Sequence, residues 1–276
     1  MVHKYDGNTA FKHRSALKLM TMSNGKTPKG EKMGFLTAIL YLMPHTSGGG
    51  ESSLCPFSTE ACRAMCLSGA GLSGLPKQIA AKQARTDLFN NDPNEFMALL
   101  AADVVRLINI AHDEKMRPAI RLNGTSDILW ERQRIPGTSL TMMSFAPSVQ
   151  FYDYTKVPLE RRASALSNYH LTYSMDSAAH AERAWGYLET GKSIAIVTSE
   201  WQKHLLVGQE MADARLQRTF RFIDGDAHDL RFADPPSSIV LLRPKGTIVT
   251  DLLRPEPAQD LAVGRRMYQI RRQLAG

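Results

Sequence analysis

The 276-residue chain has only three cysteines, Cys55, Cys62 and Cys66, and all fall in one short stretch. An odd, local set excludes a disulfide framework as the main stabiliser. No apolar run approaches the roughly 20 residues of a membrane span. Residues 1–27 lack the apolar core of a signal peptide. Gly48-Gly49-Gly50 is not followed by Gly-Lys-Ser/Thr, so there is no Walker-type phosphate loop. No Gly-x-Ser-x-Gly elbow, internal repeat or low-complexity tract occurs either. These absences predict a protein of a reducing cytoplasm, where clustered cysteines bind metal or do chemistry.

What is present suits a globular protein. Hydrophobic residues make up 43% and charged residues 22%, which excludes a core-poor disordered chain. The net charge of +7 is unevenly spread. Residues 1–34 carry seven Lys and Arg against two acids, and residues 243–276 carry seven against three. The body between them is slightly acidic. Basic ends suit a polyanion such as nucleic acid, because neutralising phosphates releases counterions. They also suit plain solubility.

Short apolar runs that end in polar residues predict seven strands: Leu36–Met43, Ala119–Leu122, Val149–Tyr152, His170–Tyr173, Ser193–Val197, Phe220–Ile223 and Ile239–Leu242. Several lack alternation, as strands buried on both faces do. Helices are expected at Pro76–Asn90, from Asp92 onward, and at Asp176–Thr190. Asp92-Pro93-Asn94-Glu95 has the residues of a capping box with proline at the first helical position. Alternating strands and helices imply parallel βαβ units. The expected fold is therefore a (β/α) barrel, partial, with six to eight parallel strands; an open doubly wound sheet is the alternative. Residues 35–246 form the expected domain, with basic extensions at 1–34 and 247–276.

The cysteines read C-x6-C-x3-C, in a loop after the first expected strand, behind Ser47-Gly48-Gly49-Gly50. Three thiolates can hold three irons of a [4Fe–4S] cluster and leave the fourth open to a small ligand. Zinc wants four ligands, and the missing one would have to be a residue such as His45. Three buried, inert thiols are the third reading. The spacing differs from the C-x3-C-x2-C of most radical S-adenosylmethionine enzymes. The location matches those enzymes better.

Sites in parallel barrels form at the carboxyl ends of strands, and polar residues gather there. They include Asn123, Ser126 and Asp127, then Tyr152, Asp153, Tyr154 and Lys156, then Ser174, and finally Asp224, Asp226, His228, Asp229 and Arg231. Asp127, Asp153, Lys156, Asp226 and His228 are the candidate catalytic residues. Asn123, Ser126 and Ser174 are the candidate cofactor-binding residues, and Cys55, Cys62 and Cys66 the candidate metal ligands. Asp127, Asp176 and Asp226 also suit helix caps and turns, and Tyr152 and Tyr154 suit core packing. The acidic run at 224–229 needs relief from repulsion, by a divalent cation or by Arg231 and Lys245.

Six stretches resemble the phage-encoded gene product 88 family. They are Lys29–Thr37, the CPFSTEACRAMCLSGAG block at Cys55–Gly71, Arg121–Glu131, Phe151–Lys156, Tyr169–Ser174 and Asp224–Phe232. The resemblance runs in consistent order through most of residues 20–246, and residues 253–276 depart from it. It implies phage origin, supports the cysteines as a set, and suggests kinship with barrel-type iron–sulfur proteins. The leading expectation is a [4Fe–4S] protein on a radical S-adenosylmethionine-like barrel, acting on nucleic acid or a nucleotide, with S-adenosylmethionine at the open iron. The first alternative is a non-catalytic nucleic-acid-binding protein with a structural metal site. The second is a divalent-metal hydrolase using Asp224, Asp226 and His228. No membrane contact is expected.

Overall fold

The structure is a computed structural model, and it describes residues 18–22, 27–64, 66–162, 166–175, 180–198, 200–213 and 217–243. Expectations for Asp176, Lys245 and the basic segments 1–17 and 244–276 lie outside these residues.

Nine strands form one sheet: β1 (Met20–Thr21), β2 (Phe35–Leu40), β3 (Arg117–Arg121), β4 (Gln150–Thr155), β5 (Tyr169–Met175), β6 (Ile194–Val197), β7 (Glu210–Asp213), β8 (Arg218–Asp224) and β9 (Ser238–Leu242). Their order is β1-β2-β3-β4-β5-β6-β9-β8-β7. The strands from β2 to β8 in that order run parallel, and β1 and β7 cap the two ends antiparallel. From β2 to β6 each new strand joins the same side of its predecessor, so this part is singly wound, and the order reverses once, in the parallel connection from β8 to β9. The sheet is open, as the alternative expectation has it. A closed barrel is excluded, because the sheet ends in β1 on one side and β7 on the other.

The helices are α1 (Thr27–Glu31), α2 (Glu60–Ala64), α3 (Pro76–Asn91), α4 (Pro93–Asp113), α5 (Met142–Phe145), α6 (Ala181–Glu189) and α7 (Glu200–Leu206). Helix α4 packs on β2 and β3, and α6 on β5 and β6. The alternation of each strand then sorts its side chains. Leu36, Ala38, Leu40, Ile120, Phe151, Leu171, Ile194 and Ile239 join the helices in the main core. Phe35, Ala119 and Tyr152 face the other way, against Leu230 and Phe232. The strap Leu230–Ala233 packs across this second face, against β4 and β5.

Local chemistry explains the ends of α4. The Asp92 carboxylate accepts from the Glu95 N–H at 3.0 Å, which caps the helix. The other arm of the box is not formed, because the Asp92 N–H is already bonded to the Leu88 carbonyl at the end of α3. Asp103, fully buried in α4, accepts N–H bonds from Lys18, Leu19 and Met20 at 2.8, 2.7 and 3.1 Å. Those bonds tie the chain before and at β1 to α4, and β1 pairs antiparallel with β2 as an edge strand. Asp103→Ala removes a charged acceptor from three amides. Urea unfolding should show a loss of about 3 kcal/mol; a loss under about 1 kcal/mol would contradict this role for Asp103.

Candidate functional site

The cysteine loop leaves the carboxyl end of β2 and is braced by α3. Thr86 accepts from the Met43 N–H at 2.8 Å, and the Gln83 amide donates to the Gly48 carbonyl at 2.9 Å. Gly48 packs so closely that an added Cβ would lie 2.5 Å from the Thr86 methyl. Beyond Cys66, the buried Lys82 ammonium donates to the carbonyls and hydroxyls of Ser68 and Ser73, at 2.6 to 3.1 Å. Burial pulls Lys82 down from the ordinary lysine range, and the nearby Cys66 opposes that pull.

Each cysteine is held differently. Cys62 lies in α2, which Thr59 caps by accepting the Cys62 N–H at 3.1 Å. Cys66 lies beyond that helix in extended conformation (φ −63°, ψ 129°), so the two thiols do not share one helical face. The Cys55 Sγ accepts the His45 N–H at 3.5 Å and donates to the Thr125 carbonyl at 3.7 Å. His45 has φ of 55°, a left-handed conformation uncommon outside glycine, and it aims its backbone at the sulfur. Its imidazole instead bonds Thr46 at 2.9 Å.

Burial pushes the Cys55 thiol up to about 12. The His45 N–H opposes this, while Asp127, Cys66 and Cys62 add to it. Cys62 and Cys66 therefore both lie within electrostatic reach of Cys55. Among the described residues, no three His, Cys, Asp or Glu side chains converge on a single metal ion. That geometry lends support to none of the three metal readings: not the cluster on the three cysteines, not zinc with His45, not a hydrolytic ion at 224–229. A cluster binds each thiolate to a different iron, so its ligands stand further apart than those of one ion.

The polar strand ends form a buried lattice beside this loop. Asn123 donates its N–H to Asp153 at 2.7 Å and its side-chain amide to the Ile128 carbonyl at 3.0 Å. Its Oδ1 accepts from Ser126, the Ile128 N–H and the Trp130 indole. Asp127 accepts from the Thr155 hydroxyl at 2.7 Å and the Lys156 N–H at 2.8 Å. The Asp127 N–H donates to the Leu54 carbonyl at 2.8 Å, next to Cys55. Gly124 packs on the end of β2, where its N–H donates to the Leu40 carbonyl at 3.0 Å and a Cβ would lie 2.5 Å from that oxygen. The Lys156 ammonium reaches the carbonyl and hydroxyl of Ser174 at 3.0 and 3.3 Å.

Arg162, which the sequence reading missed, is the hub. It pairs with Glu131 at 2.7 Å and Asp127 at 3.3 Å, and donates to the Tyr169 hydroxyl at 2.8 Å. Tyr169 donates in turn to Asp153 at 2.8 Å. Nothing in a Leu-Glu-Arg-Arg segment marks one arginine as buried. The expected site residues therefore fall into separate groups. Asn123, Ser126, Asp127 and Asp153 are hydrogen-bonded inside one lattice, and Lys156 and Ser174 sit at its rim.

Asp226 and His228 lie elsewhere. Lys203 bridges Asp224 and Asp226 at 2.5 and 2.6 Å, and Arg243 reaches Asp226 at 3.2 Å. Arg121 pairs with Asp229 at 3.0 Å. Arg231 bonds the His228 ring at 3.2 Å, and burial, with Arg231 beside it, lowers that imidazole. Repulsion in the acidic run is thus relieved by Lys203, Arg243 and Arg121.

The fold and this lattice define an open α/β protein with a cysteine loop at the carboxyl ends of its strands. The chain belongs to the gene product 88 family of phage proteins, whose profile matches residues 16–261. No curated protein and no solved structure matches it. No helix among the described residues is long and apolar enough to cross a membrane.

Burial pushes the Asp153 carboxyl up to about 7, against the Asn123 N–H, Arg121, Tyr169 and Arg162. The unfolded side chain releases its proton near its ordinary 3.8. The folded state therefore binds more protons across that interval, and this group's contribution to stability falls as pH rises from about 4 to about 7. Asp153→Asn removes the titration. Urea midpoints should then fall less steeply over that range than in the parent; equal slopes would contradict the assignment.

Proposed function

We propose that the protein is a [4Fe–4S] protein with Cys55, Cys62 and Cys66 as ligands, acting on nucleic acid or a nucleotide in the host cytoplasm with S-adenosylmethionine as co-substrate. The single observation that carries the reading is the cysteine loop. Three cysteines lie in the loop that follows the first parallel strand, with Cys62 and Cys66 both in electrostatic reach of Cys55, at the end of the sheet where open α/β sheets bind ligands. Three thiols are the ligand number that would leave one iron of a four-iron cluster open. A neutral thiol with a value near 12 is a poor ligand until a strong positive centre replaces its proton. The His45 N–H already points at the Cys55 sulfur, and such hydrogen bonds tune cluster potentials.

When bound, the cluster supplies an electron and an open iron to a chelated small molecule, the chemistry that cleaves S-adenosylmethionine reductively. The chain's own residues do the rest. Lys82 and Thr86 fix the loop, and the lattice around Asn123, Asp127, Asp153 and Arg162 fixes the loops beside it. Lys156 and Ser174, at the rim, are the polar groups best placed to meet a small molecule. Basic residues at the chain ends would meet a polyanionic substrate.

Anaerobically purified or reconstituted protein should carry about four irons and about four acid-labile sulfides per chain. Cys55→Ala should lose most of both while keeping its far-ultraviolet circular dichroism. Zinc in place of iron, or iron and sulfide retained in that variant, would contradict the reading.

A further inference from the structure

Three exposed arginines flank the cysteine loop, and the cluster reading uses none of them. Arg63 lies in α2, in the loop after β2. Arg132 closes the short turn Trp130–Arg132 after β3, and Arg161 closes the turn Leu159–Arg161 after β4. Three neighbouring parallel strands thus each deliver one cation in the loop at their carboxyl ends, where open α/β sheets bind ligands. Contacts tie the three together. The Arg161 guanidinium lies over the ring of Phe57, a residue of the cysteine loop, 5.5 Å from its centroid. Arg63 donates through Nη1 to the carbonyl of the next residue, Ser58, at 2.7 Å. Arg132 donates through Nη2 to the Arg161 carbonyl at 2.8 Å.

These side chains are oriented without being neutralised. A carbonyl aims a guanidinium but does not cancel its charge, and the group has five N–H donors. Among the described residues, Arg63 and Arg132 each spend one nitrogen on hydrogen bonds and Arg161 spends none. No carboxylate of those residues is ion-paired with any of the three. By contrast, Arg106, Arg121, Arg221 and Arg243 each have a carboxylate at 3.4 Å or less. The acids next in sequence are engaged elsewhere. Glu131 is buried against Arg162. Glu160, in electrostatic reach of Arg161, accepts from the Tyr187 hydroxyl and lies 3.9 Å from Arg183. Neighbouring strands are about 4.8 Å apart, so three successive strand ends spread the cations along a row. A row of free guanidinium forks suits a chain of phosphates better than a single one. Phe57 adds a half-buried ring beside Arg161, and bases stack on aromatic rings and on guanidinium planes.

We propose that Arg63, Arg132 and Arg161, with Phe57 among them, form a nucleic-acid-binding surface that leads the phosphate backbone past the cysteine loop. The proposal rests on the nucleic-acid part of the reading above and not on the cluster. It moves polyanion contact from the basic chain ends into the body of the domain. The charge balance along the chain hides this surface, because its cations come from three separate segments.

Fluorescence anisotropy of the full chain with a mixed-sequence oligonucleotide, measured over a range of salt, tests this. The probe is offered as single-stranded DNA, single-stranded RNA and duplex DNA, and the form bound most tightly identifies the ligand. Arg63→Gln, Arg132→Gln and Arg161→Gln combined should weaken binding at low salt at least about tenfold. The slope of log affinity against log salt should become shallower by about two to three. The corresponding triple lysine variant keeps the charges and should keep the parent's slope. Lys115→Gln, in the exposed turn at the amino end of β3, should change neither quantity. Should the triple glutamine variant fail to fold, Arg161→Gln removes no hydrogen bond and should lower the slope by about one. An unchanged slope in the glutamine variants would overturn the proposal and leave nucleic acid to the chain ends. A slope lost in the lysine variant as well would show a structural role and would also overturn it. Failure of the full chain to bind any of the three probes would overturn both this proposal and the nucleic-acid reading; iron and sulfide content tests the cluster separately.

Discussion

One buried guanidinium holds the working end of this molecule together. Arg162 stands between Glu131 and Asp127, and through Tyr169 it reaches Asp153. Those partners come from the loop after β3, from β4 and from β5, so a single cation fixes three neighbouring segments. Removing one partner from a buried ion pair leaves an uncompensated charge, which typically costs about 3–5 kcal/mol. The arrangement also explains the high Asp153 value. Burial raises it, and Arg162, like the Asn123 N–H, Arg121 and Tyr169, offsets that rise only in part.

The cysteine loop inherits its position from this lattice. Asp127 is held from one side by Thr155, Lys156 and Arg162, and on the other its N–H grips the Leu54 carbonyl. Cys55 follows directly. The path from Arg162 to the first thiol is thus a short run of hydrogen bonds through rigid strand ends. Helix α3 braces the opposite side of the loop through Thr86 and Lys82. Under this account the lattice residues position the cofactor loop, and they do not themselves handle protons of the substrate.

Much of the fold was legible in the sequence because parallel strands buried on both faces read as continuous apolar runs. All seven expected strands occur, with ends shifted by a few residues. The two missed strands are the antiparallel edges. Strand β1 is two residues long and depends on Asp103, and β7 (Glu-Met-Ala-Asp) has no apolar run. Closure was not legible, since a run of βαβ units has the same local pattern in a ring and in an open sheet. Nor were the roles of the polar strand ends, because strand register decides which face each side chain meets. Asp153 turns toward the helices while its neighbours Tyr152 and Tyr154 turn to the opposite face. Arg162 and Glu131 look like ordinary surface charges until the tertiary structure buries them.

The central claim is that three thiolates hold a four-iron cluster with one iron left to a small ligand. Mössbauer spectroscopy of the anaerobic protein reconstituted with isotopically enriched iron tests it most directly. The account predicts a cubane cluster in which one iron of four is spectroscopically distinct and shifts when S-adenosylmethionine is added. Four equivalent irons that ignore the added molecule, or iron that never assembles with sulfide, would contradict it.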